Sequence, residues 1–132
     1  MTTPSPAKRP LSPHLQIYRP MLTMMMSIAH RITGVGLTLG LIFFVWWLTA
    51  AAQSDAYFAT VQACISSWLG RTLLFGFTFA LVHHGLGGLR HLLWDTGRGF
   101  ELRTVEWLAR ANLAGSIILT LAIWLIAYGV RP

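Results

Sequence analysis

Three long stretches without an Asp, Glu, Lys or Arg constrain this chain more than any other feature. They lie between Arg31 and Asp55, between Arg71 and Arg90, and between Arg110 and Arg131, and they are 23, 18 and 20 residues long. A helix needs ~20 residues to cross the hydrocarbon layer of a bilayer. A helix on a soluble core would show a polar face every turn, and these stretches do not. The expectation is an all-α membrane protein with three transmembrane helices. Composition agrees: 55% of the 132 residues are hydrophobic and 11% are charged, against roughly 25% in soluble domains. That length holds one domain.

A net charge of +6 could suggest nucleic acid, but the basic residues sit at helix ends rather than along one polar face. Membrane topology accounts for them better. Lys8, Arg9, Arg19, Arg31, Arg90, Arg98, Arg103 and Arg110 precede the first span or surround the loop between the second and third. Arg71 and Arg131 fall on the other side. Eight against two predicts an N-terminus inside and a C-terminus outside. The lone cysteine, Cys64, excludes an internal disulfide framework or a cysteine-held metal site. Met1 to Pro20 has no apolar core of a signal peptide, so the first span is expected to serve as the insertion signal. The short N-terminus leaves no room for a transit peptide and favours the bacterial inner membrane over the mitochondrial one.

Residues 1–20 contain Pro4, Pro6, Pro10, Pro13 and Pro20, which block a continuous helix, and are expected to form an extended arm on the inner surface. A three-helix transmembrane domain follows over 21–132, with spans at about 28–52, 71–94 and 107–130. Trp46 and Trp47 lie near the outer end of the first span, where indole rings favour the interface. Between Gln53 and Gly70, Tyr57, Val61, Cys64, Ile65 and Trp68 recur at helical spacing. This fits either a short amphipathic helix on the outer surface or an extension of the second span. A polar loop is expected from Asp95 to Glu106.

The candidate chemistry collects at the inner ends of the first two spans. Ionisable groups inside a membrane helix are costly and usually face a protein interior or a cavity. His84 and His91 are two turns apart on one helix face. Gly88 shares that face and leaves it bare, so a flat ring could approach. The pattern suits a haem iron held by imidazole. It suits equally histidines that hydrogen-bond between helices while the glycines serve close packing. His84 lies six residues before Arg90, roughly 9 Å deeper at 1.5 Å per residue. Arg31 and Arg90 therefore fall at the level of a haem edge, where guanidinium groups suit propionate carboxylates, although interfacial arginines commonly act as positive-inside anchors. Ser27 and Arg31, four residues apart, can converge on a quinone oxygen. The alternative is that Ser27 caps the helix while Arg31 snorkels.

The segment Arg9-Pro-Leu-Ser-Pro-His-Leu-Gln-Ile-Tyr18, followed by Ser27-Ile-Ala-His-Arg-Ile-Thr-Gly34, resembles the N-terminal signature of the cytochrome b subunit of succinate dehydrogenase. His84-Gly-Leu-Gly-Gly-Leu-Arg-His91, with Trp94, Asp95 and Gly97, resembles the second motif of that family, H-x-x-x-G-x-R-H. The resemblance covers nearly the whole chain. It implies half of a heterodimeric helix bundle in a four-subunit complex. The partners are a second small membrane anchor, an iron-sulfur subunit and a flavoprotein that oxidises succinate. It implies haem b shared between the two anchors, with His84 as this chain's axial iron ligand, and ubiquinone as substrate. Ser27 and Arg31 would contribute to the quinone site. His30 and Arg31 would lie near the haem propionates. Arg90, His91 and Asp95 are weaker candidates for propionate contact or proton supply, and Asp95 could as well cap the helix or pair with Arg98. His83 is one place out of register, about 100° round the helix, and reads as a packing or hydrogen-bonding residue. Alone, the chain should be inactive.

Three rival readings remain at this point. One is a haem-free anchor of the same architecture, as in a related complex such as fumarate reductase. Another is a structural or assembly protein, which leaves the polar cluster from Ser27 to Arg31 without a purpose. The third is a small transporter subunit, which would place ionisable groups or broken helices near the bilayer midplane, and the third span has none.

Overall fold

A computed structural model describes residues 19–130. The proline-rich arm assigned to residues 1–20 therefore lies outside the described residues except for its last two. The described chain is helical apart from short connections, in the order α1 (Leu22–Gln53), α2 (Asp55–Ser66), α3 (Trp68–Asp95) and α4 (Leu102–Gly129). Helices α1, α3 and α4 are long and apolar enough to cross a membrane. At 1.5 Å per residue, the 32 residues of α1 and the 28 of α3 and of α4 exceed the ~30 Å hydrocarbon thickness. Their ends must reach into the headgroup layers or tilt. This is the all-α membrane architecture that the charge-free stretches predict.

The segment between the first two spans satisfies both possibilities left open by its spacing. Helix α2 is separate, and α3 begins at Trp68, before the charge-free stretch. Ser67 breaks the helix with an extended ψ of 162°. Its Oγ donates to the Cys64 carbonyl (2.7 Å) and accepts from the Gly70 N–H (3.1 Å), closing one helix and capping the next. Helix α2 docks on the end of α1 through the indoles placed there: Trp46 Nε1 donates to the Tyr57 hydroxyl (2.8 Å) and Trp47 Nε1 to Gln62 Oε1 (3.3 Å).

The loop between α3 and α4 is shorter than expected. It ends at Glu101, and Leu102 to Glu106 already belong to α4. The polar residues there do not stop a helix; they line its exposed side, and Arg110 pairs with Glu106 one turn away at 3.2 Å. Gly97 and Gly99 reverse the chain, with φ of 76° and 80°, a region that residues with a Cβ rarely enter.

The interior is the inverse of a soluble core. Only Met26, Ala50, Val61 and Ala109 are buried hydrophobic residues among those described, whereas His83, Arg90, Asn112, Ser116 and Thr120 are buried polar ones. Large side chains such as Ile32, Ile42, Phe43, Leu89 and Ile118 stand outward. In lipid this costs nothing, because acyl chains are as apolar as leucine, and helices associate through small residues and hydrogen bonds instead. The seam of α4 against α3 follows that rule: Ala109, Asn112, Ser116 and Thr120 recur every three or four residues. Thr78 Oγ1 accepts from the Trp124 indole across the same seam at 3.2 Å.

Candidate functional site

Helices α1 and α3 run antiparallel and cross closely where the polar residues collect. A Cβ placed on Gly87 would overlap the His30 ring, and one on Gly34 would come within 3.1 Å of His84 Cε1. The two glycines let each imidazole come up against the backbone of the opposite helix. The result is a face-to-face pair: the rings of His30 and His84 stack with centroids 3.9 Å apart and planes within 7°. His91, one face-repeat further along α3, tilts against His30 at 5.3 Å and meets Trp94 edge-on at 5.2 Å. Replacing Gly87 with alanine should therefore force His30 aside. Overpacking of this kind costs about 1–3 kcal/mol. Thermal unfolding in detergent should show a lower midpoint for Gly87→Ala than for Gly88→Ala, since a Cβ on Gly88 meets nothing within 4 Å.

The backbone of α1 fixes the tautomer of His84. Its Nδ1 lies 3.1 Å from the His30 carbonyl oxygen. A carbonyl can only accept, so Nδ1–H donates and Nε2 carries the lone pair of the neutral ring. Thr33 Oγ1 donates to the same carbonyl at 2.9 Å and stands 3.4 Å from the ring nitrogen. The ring itself is half-buried, and the bare backbone at Gly88 adjoins it.

His83 faces the other way. It is 1% exposed, packs on Phe79, and its Nδ1 lies 3.0 Å from Ser116 Oγ. The Ser116 hydroxyl donates to the Asn112 carbonyl at 2.6 Å. Its proton is thus committed, and His83 Nδ1–H must donate to it. His83 Nε2 is then buried without a hydrogen-bond partner among the described residues. Neighbours in sequence, the two histidines serve different helix contacts, as the 100° between successive residues requires.

Ser27 and Arg31 come together: Arg31 Nη2 donates to Ser27 Oγ at 3.1 Å. Ser27 is no helix cap, because α1 begins five residues earlier with Met21 at its N-cap. Its hydroxyl proton is left over for another acceptor. Arg90 lies round α3 from His84, on the side of His83. It is 6% exposed, and its guanidinium carbon sits 5.0 Å over the Trp94 ring. Asp95 is the last residue of α3 and is exposed; it pairs with no cation among the described residues. The sequence reading passed over Asn112, Ser116, Thr120 and Thr33. The first three carried a signal, a polar residue every fourth position in an otherwise apolar helix.

Comparison with known proteins shows the family. The family model described as "Succinate dehydrogenase/Fumarate reductase transmembrane subunit" matches residues 5–123. The chain is 46% identical over 111 residues to the "Succinate dehydrogenase cytochrome b556 subunit" of Paracoccus denitrificans, covering 84% of this chain and 85% of that one. It is 38% identical over 117 residues to the protein of the same name from Rickettsia typhi, covering 89% and 91%. The "Succinate dehydrogenase cytochrome b560 subunit, mitochondrial" of Homo sapiens is 39% identical over 98 residues, covering 73% and 58%. With its three spans and these bacterial relatives, the chain is a multi-pass protein of the bacterial inner membrane. A match over nearly the whole length, by a chain whose long helices are built for lipid, places it in the succinate dehydrogenase/fumarate reductase transmembrane subunit family.

Proposed function

We propose that this chain is the haem-b-carrying membrane anchor of a succinate:quinone oxidoreductase, with His84 as the residue that would hold the iron. One observation carries the reading: the His30 carbonyl fixes the proton of His84 on Nδ1, leaving Nε2 as the free donor atom beside a stretch of α3 cleared of side chains at Gly88. Metal-bound histidines characteristically donate their second ring nitrogen in this way, which fixes ring orientation and raises ligand basicity. His83 has the same tautomer but is sealed within the seam. The donor set suits a haem, and the bound group would supply one-electron redox chemistry. A second ligand for the iron, and the other half of the bundle, would come from a second small anchor against the exposed apolar faces. An iron-sulfur subunit and a flavoprotein would complete the complex, as the family resemblance implies. The arginine distribution supports an orientation with the N-terminus and the α3–α4 loop inside.

The chain's own part is positional and electrostatic. Arg31 and His30, with His91 on the neighbouring helix, form the polar end of the α1–α3 crossing and are the favoured partners of the haem propionates. Arg90 is turned toward α4 and Asp95 stands at the helix end, so both remain secondary candidates for propionate contact or proton supply. Arg31, steadied by Ser27, leaves guanidinium N–H groups and one hydroxyl to donate to a quinone oxygen. As ubiquinone takes two electrons and two protons to become ubiquinol, these donors oppose the negative charge that builds on that oxygen.

The test uses the purified complex. Wild type is expected to show sharp α and β bands in a reduced-minus-oxidised visible spectrum. Ser27→Ala should slow succinate-driven ubiquinone reduction about tenfold, on the order of one hydrogen bond to a charge-bearing group. Succinate oxidation with a soluble dye as acceptor should stay at the wild-type rate. Quinone reduction at full rate in a complex without haem bands would leave the haem-free anchor as the surviving reading.

A further inference from the structure

The α3–α4 seam opens into a second site on the side turned from the imidazole pair. A cavity of about 230 Å³ is lined by Leu86, Leu89, Arg90, Leu93, Leu108 and Asn112, together with Ala111. Leu89 and Leu93 lie roughly 140–180° round α3 from His84, at 100° per residue. The walls are otherwise apolar, and the two polar side chains are both more than nine-tenths buried: Arg90 is 6% exposed and Asn112 5%. Among the described residues Arg90 Nε and Asn112 Nδ2 have no hydrogen-bond partner and Arg90 enters no ion pair. The atoms left over are thus N–H donors, one belonging to a full positive charge. A buried charge without a counter-charge is strongly disfavoured, so the cavity calls for an acceptor that is also an anion.

We propose that this cavity binds the headgroup phosphodiester of an anionic phospholipid. Arg90 and Asn112 donate to its oxygens, and its acyl chains run over the exposed Leu89 and neighbouring leucines. The position suits a lipid, because Arg90 stands little more than one turn from the end of α3 and Asn112 lies in the third turn of α4. That is the depth where headgroups meet acyl chains, and basic pockets between transmembrane helices bind anionic headgroups. The volume falls below the 300 Å³ or so that encloses a whole small-molecule ligand and fits a headgroup fragment whose tails stay outside. Leu108 is shared with an adjoining hollow of about 320 Å³ lined by Arg103, Thr104 and Trp107, which gives the polar end of the lipid a second cation and an interfacial indole. A zwitterionic lipid would bring its own cation beside Arg90 and is the poorer partner.

The experiment is native mass spectrometry of the intact, delipidated complex titrated with phosphatidylglycerol or phosphatidylcholine in mixed micelles. Phosphatidylglycerol is expected to bind at least about tenfold more tightly, the factor that one hydrogen bond to a charged group supplies. Asn112→Leu and Arg90→Gln should each weaken it by a similar factor. Leu89→Trp, which keeps both donors and fills the space, should do the same. Equal binding of the two lipids, unchanged binding in all three variants, or displacement by inorganic phosphate alone would overturn the proposal. Wild-type complex labelled with a photoactivatable phosphatidylglycerol provides a test that needs no variant. Label on peptides spanning 86–93 and 108–112 supports the site, and label confined to other segments overturns it.

Discussion

His84→Ala is expected to abolish the α and β bands of low-spin haem b in the purified complex, while His83→Ala keeps them. The two residues are adjacent, both donate from Nδ1, and neither composition nor hydropathy separates them. What separates them is the direction each faces. His84 is half-buried at the α1–α3 crossing, with its Nδ1 proton committed to the His30 carbonyl. His83 is enclosed between α3 and α4, with its Nδ1 proton committed to Ser116. Removing His84 deletes the donor atom, and His83 cannot replace it, because it would have to turn about 100° through a packed seam. Removing His83 deletes a buried hydrogen bond and leaves a cavity, so the expected loss is in stability, about 1–3 kcal/mol, and is read as a lower thermal midpoint with the spectrum retained. Bands that survive in His84→Ala and vanish in His83→Ala would reverse the assignment.

Arg31→Leu is expected to lower succinate-driven quinone reduction about 100-fold, the usual scale for losing a preorganised donor aimed at developing negative charge. The measurement is the turnover rate at saturating quinone, with dye reduction by succinate as the control for the rest of the complex. Arg31→Lys tells a site residue from an anchor. A lysine keeps the positive charge and can snorkel as well as arginine, so an Arg31 that only fixes topology would be replaced without loss. At a quinone site the lysine loses the planar fork that lets arginine bond Ser27 and still present further N–H groups. Partial recovery, well short of wild type, is expected. Full recovery would return Arg31 to the role of an interfacial anchor.

The placement of Ser27 shows how far sequence reasoning reached. From spacing alone, a helix cap was the commoner reading of Ser27 and a side chain paired with Arg31 the alternative. The structure begins α1 at Leu22, which leaves Ser27 more than a turn inside and free to accept from Arg31. Helix ends are weakly encoded here: the N-cap falls on Met21, whose side chain makes no capping hydrogen bond, although Thr23 and Ser27 are of the types that usually cap. The early start of α4 has the same origin: polar residues between Glu101 and Glu106 read as loop, although they are compatible with an exposed helical turn. Gly87 illustrates the opposite case. Gly88 has the spacing that shares the face of His84, yet it is Gly87 that His30 packs against. Which glycine admits a neighbour depends on where the other helix crosses, and that information is spread over both helices.

The sequence by itself determined the membrane architecture, because the cost of burying charge in hydrocarbon forces long charge-free runs wherever a helix must span. It also placed His30, Arg31, His84 and His91 near one end of the bundle, since residue number converts directly into depth along a helix. Only the tertiary structure decided which face each side chain serves. The stacking of His30 on His84, the tautomer of His84, the burial of His83 against Ser116 and the turning of Arg90 toward Asn112 depend on how three helices are rotated about their own axes. That rotation is set by the small and polar residues at their contacts, such as Gly34, Gly87, Ala109 and Ser116. Lipid exerts no pull on an apolar face, so hydrophobic patterning, the strongest cue to orientation in a soluble protein, is silent about it here.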